Sequence, residues 1–138
     1  MKKFLILPAV LICLTAWEIH AWALSEQKVA EAFGVFQKEW MDKLSRHGIY
    51  GPKHMTVRKS RDGSLVVASY KELGAVKGSR VKKTDSKACP FVGVLHYEEI
   101  VFESRGPTEQ IARKGPFREA GRTNITEIFR FADGKWIY

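Results

Sequence analysis

The segment TEIFRFADGKWIY, residues 126–138, decides the fold. Aspartate and glycine stand between two runs of aromatic and β-branched residues, and both can take the positive φ of a tight hairpin turn. With Asp133-Gly134 as a two-residue loop, Phe131 faces Trp136 and Phe129 faces Tyr138 across the pair. Four rings then share one face of a sheet. Such a face needs an apolar partner, and the chain supplies one upstream.

That partner is LSEQKVAEAFGVFQKEWMDKLSRHG, residues 24–48. Val29, Phe33, Phe36, Trp40 and Leu44 recur at steps of three and four, which places them on one stripe of an α-helix. Ser25 reads as the N-cap, with Glu26 in the first turn where the helix dipole favours negative charge. Gly48 reads as the left-handed residue that ends the helix, with Ile49 making the capping contact. A long helix with one broad apolar stripe is expected to lie on a sheet. Mutual burial of the two aromatic sets is the economical reading, at about 2–3 kcal/mol per buried ring.

The stretch between them reads mainly as strands. In HMTVRKSRDGSLVVASYKEL, residues 54–73, Asp62-Gly63 is a hairpin signal; a two-residue loop there pairs Val57 with Ala68 and Met55 with Tyr70. GAVKGSRVKKTDSKACP, residues 74–90, is glycine-rich and basic and reads as a loop or irregular edge. PFVGVLHYEEIVFESRG, residues 90–106, is the longest strand candidate and carries apolar residues on both parities. A strand of that kind changes its buried side part-way along a bent sheet, with Gly93 as a candidate bend. PTEQIARKGPFREAGR, residues 107–122, is polar and reads as a connection to the last hairpin. The expected fold class is therefore α+β: one long N-terminal helix packed on a curved antiparallel sheet of about four strands.

The beginning of the chain has the layout of a secretory signal peptide. Lys2 and Lys3 precede an apolar run from Phe4 to Trp17, and Ala21-Trp22-Ala23 offers a small-residue cleavage site. That run of about 14 residues spans only ~21 Å as a helix, short of a ~30 Å hydrocarbon core. The expectation is a signal peptide over residues 1–23 and a single α+β domain over 24–138, periplasmic or secreted. Beyond Ala23 the chain keeps 21 basic and 14 acidic residues, a net charge of +7. In such a compartment nucleic acid is not an expected partner, and anionic envelope components are the natural attractors. Lys77, Arg80, Lys82, Lys83 and Lys87 cluster without the interleaved rings that nucleic-acid stacking uses. Cys89 is the one cysteine beyond Ala23, so no internal disulfide is expected there. It reads as a buried inert thiol, an intermolecular bridge or a reactive site. The sequon Asn124-Ile125-Thr126 falls in an expected strand.

Chemistry is sparse. There is no Gly-x-Ser-x-Gly, no phosphate-cradling loop and no His-Glu-x-x-His. His47, His54 and His96 have no metal-ligand spacing, so neither metal nor cofactor is expected. Glu98 and Glu99 are adjacent in a strand and must point to opposite faces. His96 and Glu98 share a face, at a spacing of about 7 Å that is loose for a direct hydrogen bond. Glu127 falls by parity on the aromatic face with Ile125, Phe129 and Phe131. There it is either solvated beyond the end of the short closing strand, or a carboxylate of raised pKa suited to acid–base work.

A long helix followed by an antiparallel meander resembles the cystatin-like and NTF2-like (SnoaL-like) α+β superfamily. The resemblance rests on LSEQKVAEAFGVFQKEWMDKL and on the ending ITEIFRFADGKWIY. It implies a small-ligand pocket between helix and sheet, or a sheet used for dimerisation and protein binding. Typical NTF2-like domains have about three helices before the sheet, and this chain shows one. Cystatin-type protease inhibition uses a Gln-x-Val-x-Gly loop, whereas Gln27-Lys28-Val29-Ala30-Glu31 lacks the glycine and lies inside the helix.

The leading expectation is a small non-enzymatic domain that binds an apolar ligand or a protein partner. Phe36, Trp40, Tyr97, Phe129, Trp136 and Tyr138 are the candidate ligand contacts, and a homodimer is among the allowed partners. One alternative is an isomerase-like pocket enzyme, with Glu127 as its base and Tyr97 or Tyr138 as hydrogen-bond donor. Another is a basic protein in weak contact with an anionic envelope.

Overall fold

The computed structural model describes the backbone of residues 13–138 and the side chains of residues 26–138. Lys2, Lys3 and the apolar run as far as Ile12 lie outside the described residues. The fold is α+β, a helix set against a curled antiparallel sheet. Helix α1 spans Cys13–His47, and the strands are β1 (Thr56–Lys59), β2 (Val66–Lys83), β3 (Phe91–Gly106), β4 (Arg118–Ala132) and β5 (Lys135–Ile137). A short helix α2, Glu109–Lys114, interrupts the step from β3 to β4. The sheet has five strands rather than about four, in the order β1-β2-β3-β4-β5, so every strand pairs with its sequence neighbour.

α1 begins earlier than expected. It runs straight through Ser25, which is therefore no N-cap. The residues before it, Ala21, Trp22, Ala23 and Leu24, continue a helix readily. The stripe itself lies where the spacing puts it. Val29 and Phe33 are buried in the core, with Phe36, Trp40, Met41 and Leu44 packed against it. At the other end the Gly48 amide bonds Leu44 O at 2.8 Å. Gly48 is not left-handed, and Ile49 is 66% exposed rather than capping. The chain instead turns to bring Tyr50 in beside Gly48, where a Cβ would stand 2.4 Å from Leu44 O.

The closing hairpin follows its turn chemistry. Asp133 and Gly134 have φ of 51° and 75°, and Phe131 pairs with Trp136. In the first hairpin Val57 pairs with Ala68 as the register requires. Its ladder closes at Lys59 and Val66, leaving a longer loop. That loop is held by Asp62, whose carboxylate accepts from Ser60 and from the amide and hydroxyl of Ser64.

Of the two readings of residues 74–83, the irregular edge holds and the loop does not: β2 continues to Lys83 and pairs with β3, with register shifts between Leu73, Val76 and Gly78. Glycines in a strand mark bulges as well as loops, and the surrounding lysines sit comfortably on an exposed edge. The true loop is Thr84–Pro90. Within it Cys89 is half-buried, its thiol donating to Phe91 O at 3.4 Å. Residues 107–122 likewise are only partly connection, because β4 starts at Arg118.

β3 changes its buried side along its length. Phe91, Gly93, Leu95 and Tyr97 are buried under α1, whereas Ser104 and Gly106, of the other parity, are buried on the opposite face. There α2 covers the sheet with its buried Ala112, and Tyr70, Phe102 and Phe117 form a second ring cluster with centroids 5.1–5.5 Å apart. Gly93 serves close packing. The Phe33 ring lies against it, and a Cβ there would fall 2.2 Å from Phe33 Cε2.

Candidate functional site

The six candidate ligand contacts come together. Phe36 packs edge-on against Phe129 at 4.9 Å and Trp40 does so at 5.4 Å. Phe36 lies 6.5 Å from Trp136, and Trp40 lies 4.7 Å from Tyr138. Trp136 also donates its indole N–H to Val29 O at 3.3 Å, tying β5 to α1. Phe129, Trp136 and Tyr97 are buried, while Tyr138 is 72% exposed with the Lys43 ammonium 4.1 Å over its ring. This region is filled by side chains, and Phe33, Phe129 and Leu95 are among its most completely buried members.

Glu127 is half-buried on this face, opposite Leu95 on β3. One carboxylate oxygen accepts from the Trp40 indole, and the other accepts from the Tyr97 hydroxyl at 3.1 Å. It does lie beyond the end of β5, yet α1 reaches across to meet it.

A second polar group lies beside the first. Tyr50 donates its hydroxyl to Glu99 Oε1 at 2.6 Å, and Lys71 donates to Glu99 Oε2 at 2.8 Å. Burial raises the Glu99 carboxyl, but the hydrogen bonds from Lys71 and Tyr50, with the Lys71 charge, outweigh it and leave Glu99 below its ordinary value. Burial, together with the Glu127 charge and hydrogen bond, pushes the Tyr97 hydroxyl up to about 12. Burial and the Glu99 hydrogen bond hold Tyr50 protonated still more firmly. Trp40, Glu127, Tyr97, Tyr50, Glu99 and Lys71 thus form a polar line running from α1 towards β2. Glu98 points the other way, as strand parity demands, and pairs with Lys77 and Arg122. His96 bonds Thr126 at 2.9 Å rather than Glu98.

Beyond the last turn of α1 the same face of the sheet is not covered by the helix. A cavity of about 310 Å³ opens there, lined by Ile49, His54, Thr56, Ser69, Tyr70, Lys71 and Val101. None of the six candidate contacts lines it. Sequence reasoning missed this region. The available signal was parity, which places Glu99 and Val101 on the face of Tyr97 but does not say where α1 stops covering it. Among the described residues no group of His, Cys, Asp and Glu could hold a metal ion. No described helix is long and apolar enough to cross a membrane. No family model matches the chain, and neither does any curated protein or solved structure.

Proposed function

We propose that the chain is a small non-enzymatic binding domain, exported from the cytoplasm, whose site is the groove beyond the end of α1. Its ligand is a compact amphipathic molecule, with an apolar body against Ile49 and Val101 and an anionic end towards Lys71 and His54. The observation that carries this reading is the cavity of about 310 Å³ on the helix-side face, at the lower end of the usual size for ligand sites. The signal-like layout of residues 1–23 supports export. One helix over a curled meander supports the cystatin-like resemblance more than a deep NTF2-like cone.

An isomerase-like role for Glu127 is the weaker reading, because the Trp40 indole and the Tyr97 hydroxyl hold its carboxylate beside a core filled by side chains, and it does not line the groove.

Octanoate, with one carboxylate and a short alkyl chain, is a suitable probe. Titrated into ¹⁵N-labelled protein, it should shift the amides of Ile49, Lys71 and Val101 saturably, and Ser69→Trp should abolish the effect by filling the groove. Shifts centred on Phe36, Phe129 and Trp136, or none at all, would overturn the assignment.

A further inference from the structure

The basic residues between Lys77 and Lys87 do not stay together in the fold. Lys77 pairs with Glu98 and Lys83 with Glu26. Arg80 and Lys82 instead meet two cations that are distant in the chain. Lys82 lies opposite Val92, Val92 opposite Arg130, and Arg130 opposite Ile137. One step along, Arg80 lies opposite Val94 and Val94 opposite Ile128. Lys135 lies opposite Ala132. Paired residues of an antiparallel sheet share a face. Phe91, Leu95, Phe129 and Trp136 take the helix side, so by alternation these residues occupy the outer one.

Arg80, Lys82, Arg130 and Lys135 are exposed, and none of the four has an ion pair among the described residues. No carboxylate shares this end of the outer face. Glu98 follows beyond His96 and is already held by Lys77 and Arg122, while Asp133 belongs to the turn. Lys82 and Arg130 are two strands apart, about 10 Å. Apolar side chains are set among the cations: Val92 and Ile137 are half-buried, and Ile128 is 66% exposed. α2 covers the far end of this face, near Gly106. No described element covers the basic end.

We infer that this end of the outer face docks on the headgroup layer of an anionic lipid bilayer. Four unpaired cations without a neighbouring carboxylate call for an anionic partner. The apolar residues between them select lipid among the polyanions. Nucleic acid is gripped by aromatic rings that stack on bases, and no Phe, Tyr or Trp stands on this patch. An acidic peptide or polysaccharide would leave Ile128 in water. The interfacial zone of a bilayer receives an isoleucine while lysines and arginines reach the phosphates on their flexible stems. The groove lies on the opposite face at the other end of the sheet, so failure of either assignment leaves the other intact.

The test is co-sedimentation of the exported protein, in the form its cells process, with vesicles of roughly one-third phosphatidylglycerol in phosphatidylcholine. It should bind these and not vesicles of phosphatidylcholine alone. Affinity should fall at least tenfold as salt rises from about 0.05 to about 0.5 M. Each cation contributes a factor of about five, so replacing Arg80, Lys82, Arg130 and Lys135 together by Gln should weaken binding by about a hundredfold or more. Replacing Lys28, Lys38, Lys53 and Lys59 by Gln removes the same charge elsewhere and should cost less than about fivefold. Ile128→Ser keeps the charge and should weaken binding about fivefold or more. Single Arg80→Gln and Arg130→Gln variants, each expected to lose about fivefold, serve if the quadruple variant fails to fold. Equal binding to both kinds of vesicle overturns the proposal. So do equal losses in the two quadruple variants, which would mean net charge alone, or full binding by Ile128→Ser. Removal from the vesicles by polyglutamate or heparin in preference to lipid would make an acidic polymer the partner, and overturns it as well.

Discussion

The indole of Trp40 donates to the carboxylate of Glu127, 87 positions away in the chain. With the Tyr97 hydroxyl on the other oxygen, this contact gives a half-buried carboxylate two donors between helix and sheet. Trp40→Phe keeps an aromatic ring against Phe129 and removes the donor. An oxygen left without its partner away from bulk water costs about 1–3 kcal/mol. The urea midpoint should fall accordingly at unchanged slope. No change would mean that water replaces the indole at no cost.

Trp136 is the ring on which the closing hairpin depends. It touches Phe33 and Phe131, with centroids at 4.6 and 5.1 Å, and its N–H reaches Val29 O. Trp136→Ala is expected to destabilise by about 3–5 kcal/mol, the usual cost of a large cavity. Chemical denaturation measures it, and a loss below about 1 kcal/mol with the fold intact would contradict a core role.

Gly93→Ala tests close packing from the other direction. Phe33 Cε2 would lie 2.2 Å from the added methyl, so ring or strand must move. Overpacking of this kind costs about 1–3 kcal/mol. Combining Gly93→Ala with Phe33→Leu should recover part of that loss, and a double-mutant cycle reads the recovery.

The two ends of the pH scale probe different members of the polar line. Glu99 lies below its ordinary value in the folded protein. Its contribution is therefore present above the unfolded value of ~4.3 and is lost as pH falls through the folded one. Tyr97 is raised to about 12. Its contribution is present below the unfolded value of ~10 and is lost as pH rises from there through the folded one. Stability should accordingly fall on the acid side below about pH 4 and on the alkaline side above about pH 10. Tyr97→Phe should flatten the alkaline limb, with Tyr50 supplying what remains, while Lys71→Gln should shrink the acid one. Thermal melts across pH separate the two.

Where one local rule governed, the sequence was legible. The apolar spacing of Val29, Phe33, Phe36 and Trp40 located the helix stripe, and Asp133-Gly134 set the register of Phe131 against Trp136. The parity of Glu98 and Glu99 was also readable. Residues 74–83 were not, because Gly74 and Gly78 give the same signal in a bulged strand as in a loop, and only pairing with β3 separates the two. The groove was illegible for a related reason. Its existence depends on where α1 ends relative to a strand more than 50 residues later, a distance that no spacing encodes. Gly48 marked the end of the helix correctly, but its role is room for Tyr50, which lies outside cap grammar.

The order of the meander has a consequence for how the chain is made. Each hairpin of the sheet can close with the strand synthesised just before it, so pairing advances with the chain. The helix stripe comes first, yet the rings that cover it, Phe129, Phe131 and Trp136, come more than 80 residues later. At roughly 5–20 residues per second on the ribosome, the apolar face of α1 stays without its final partner for several seconds. During that interval it is available to a chaperone or an export factor, and the native core cannot form until Trp136 has been added.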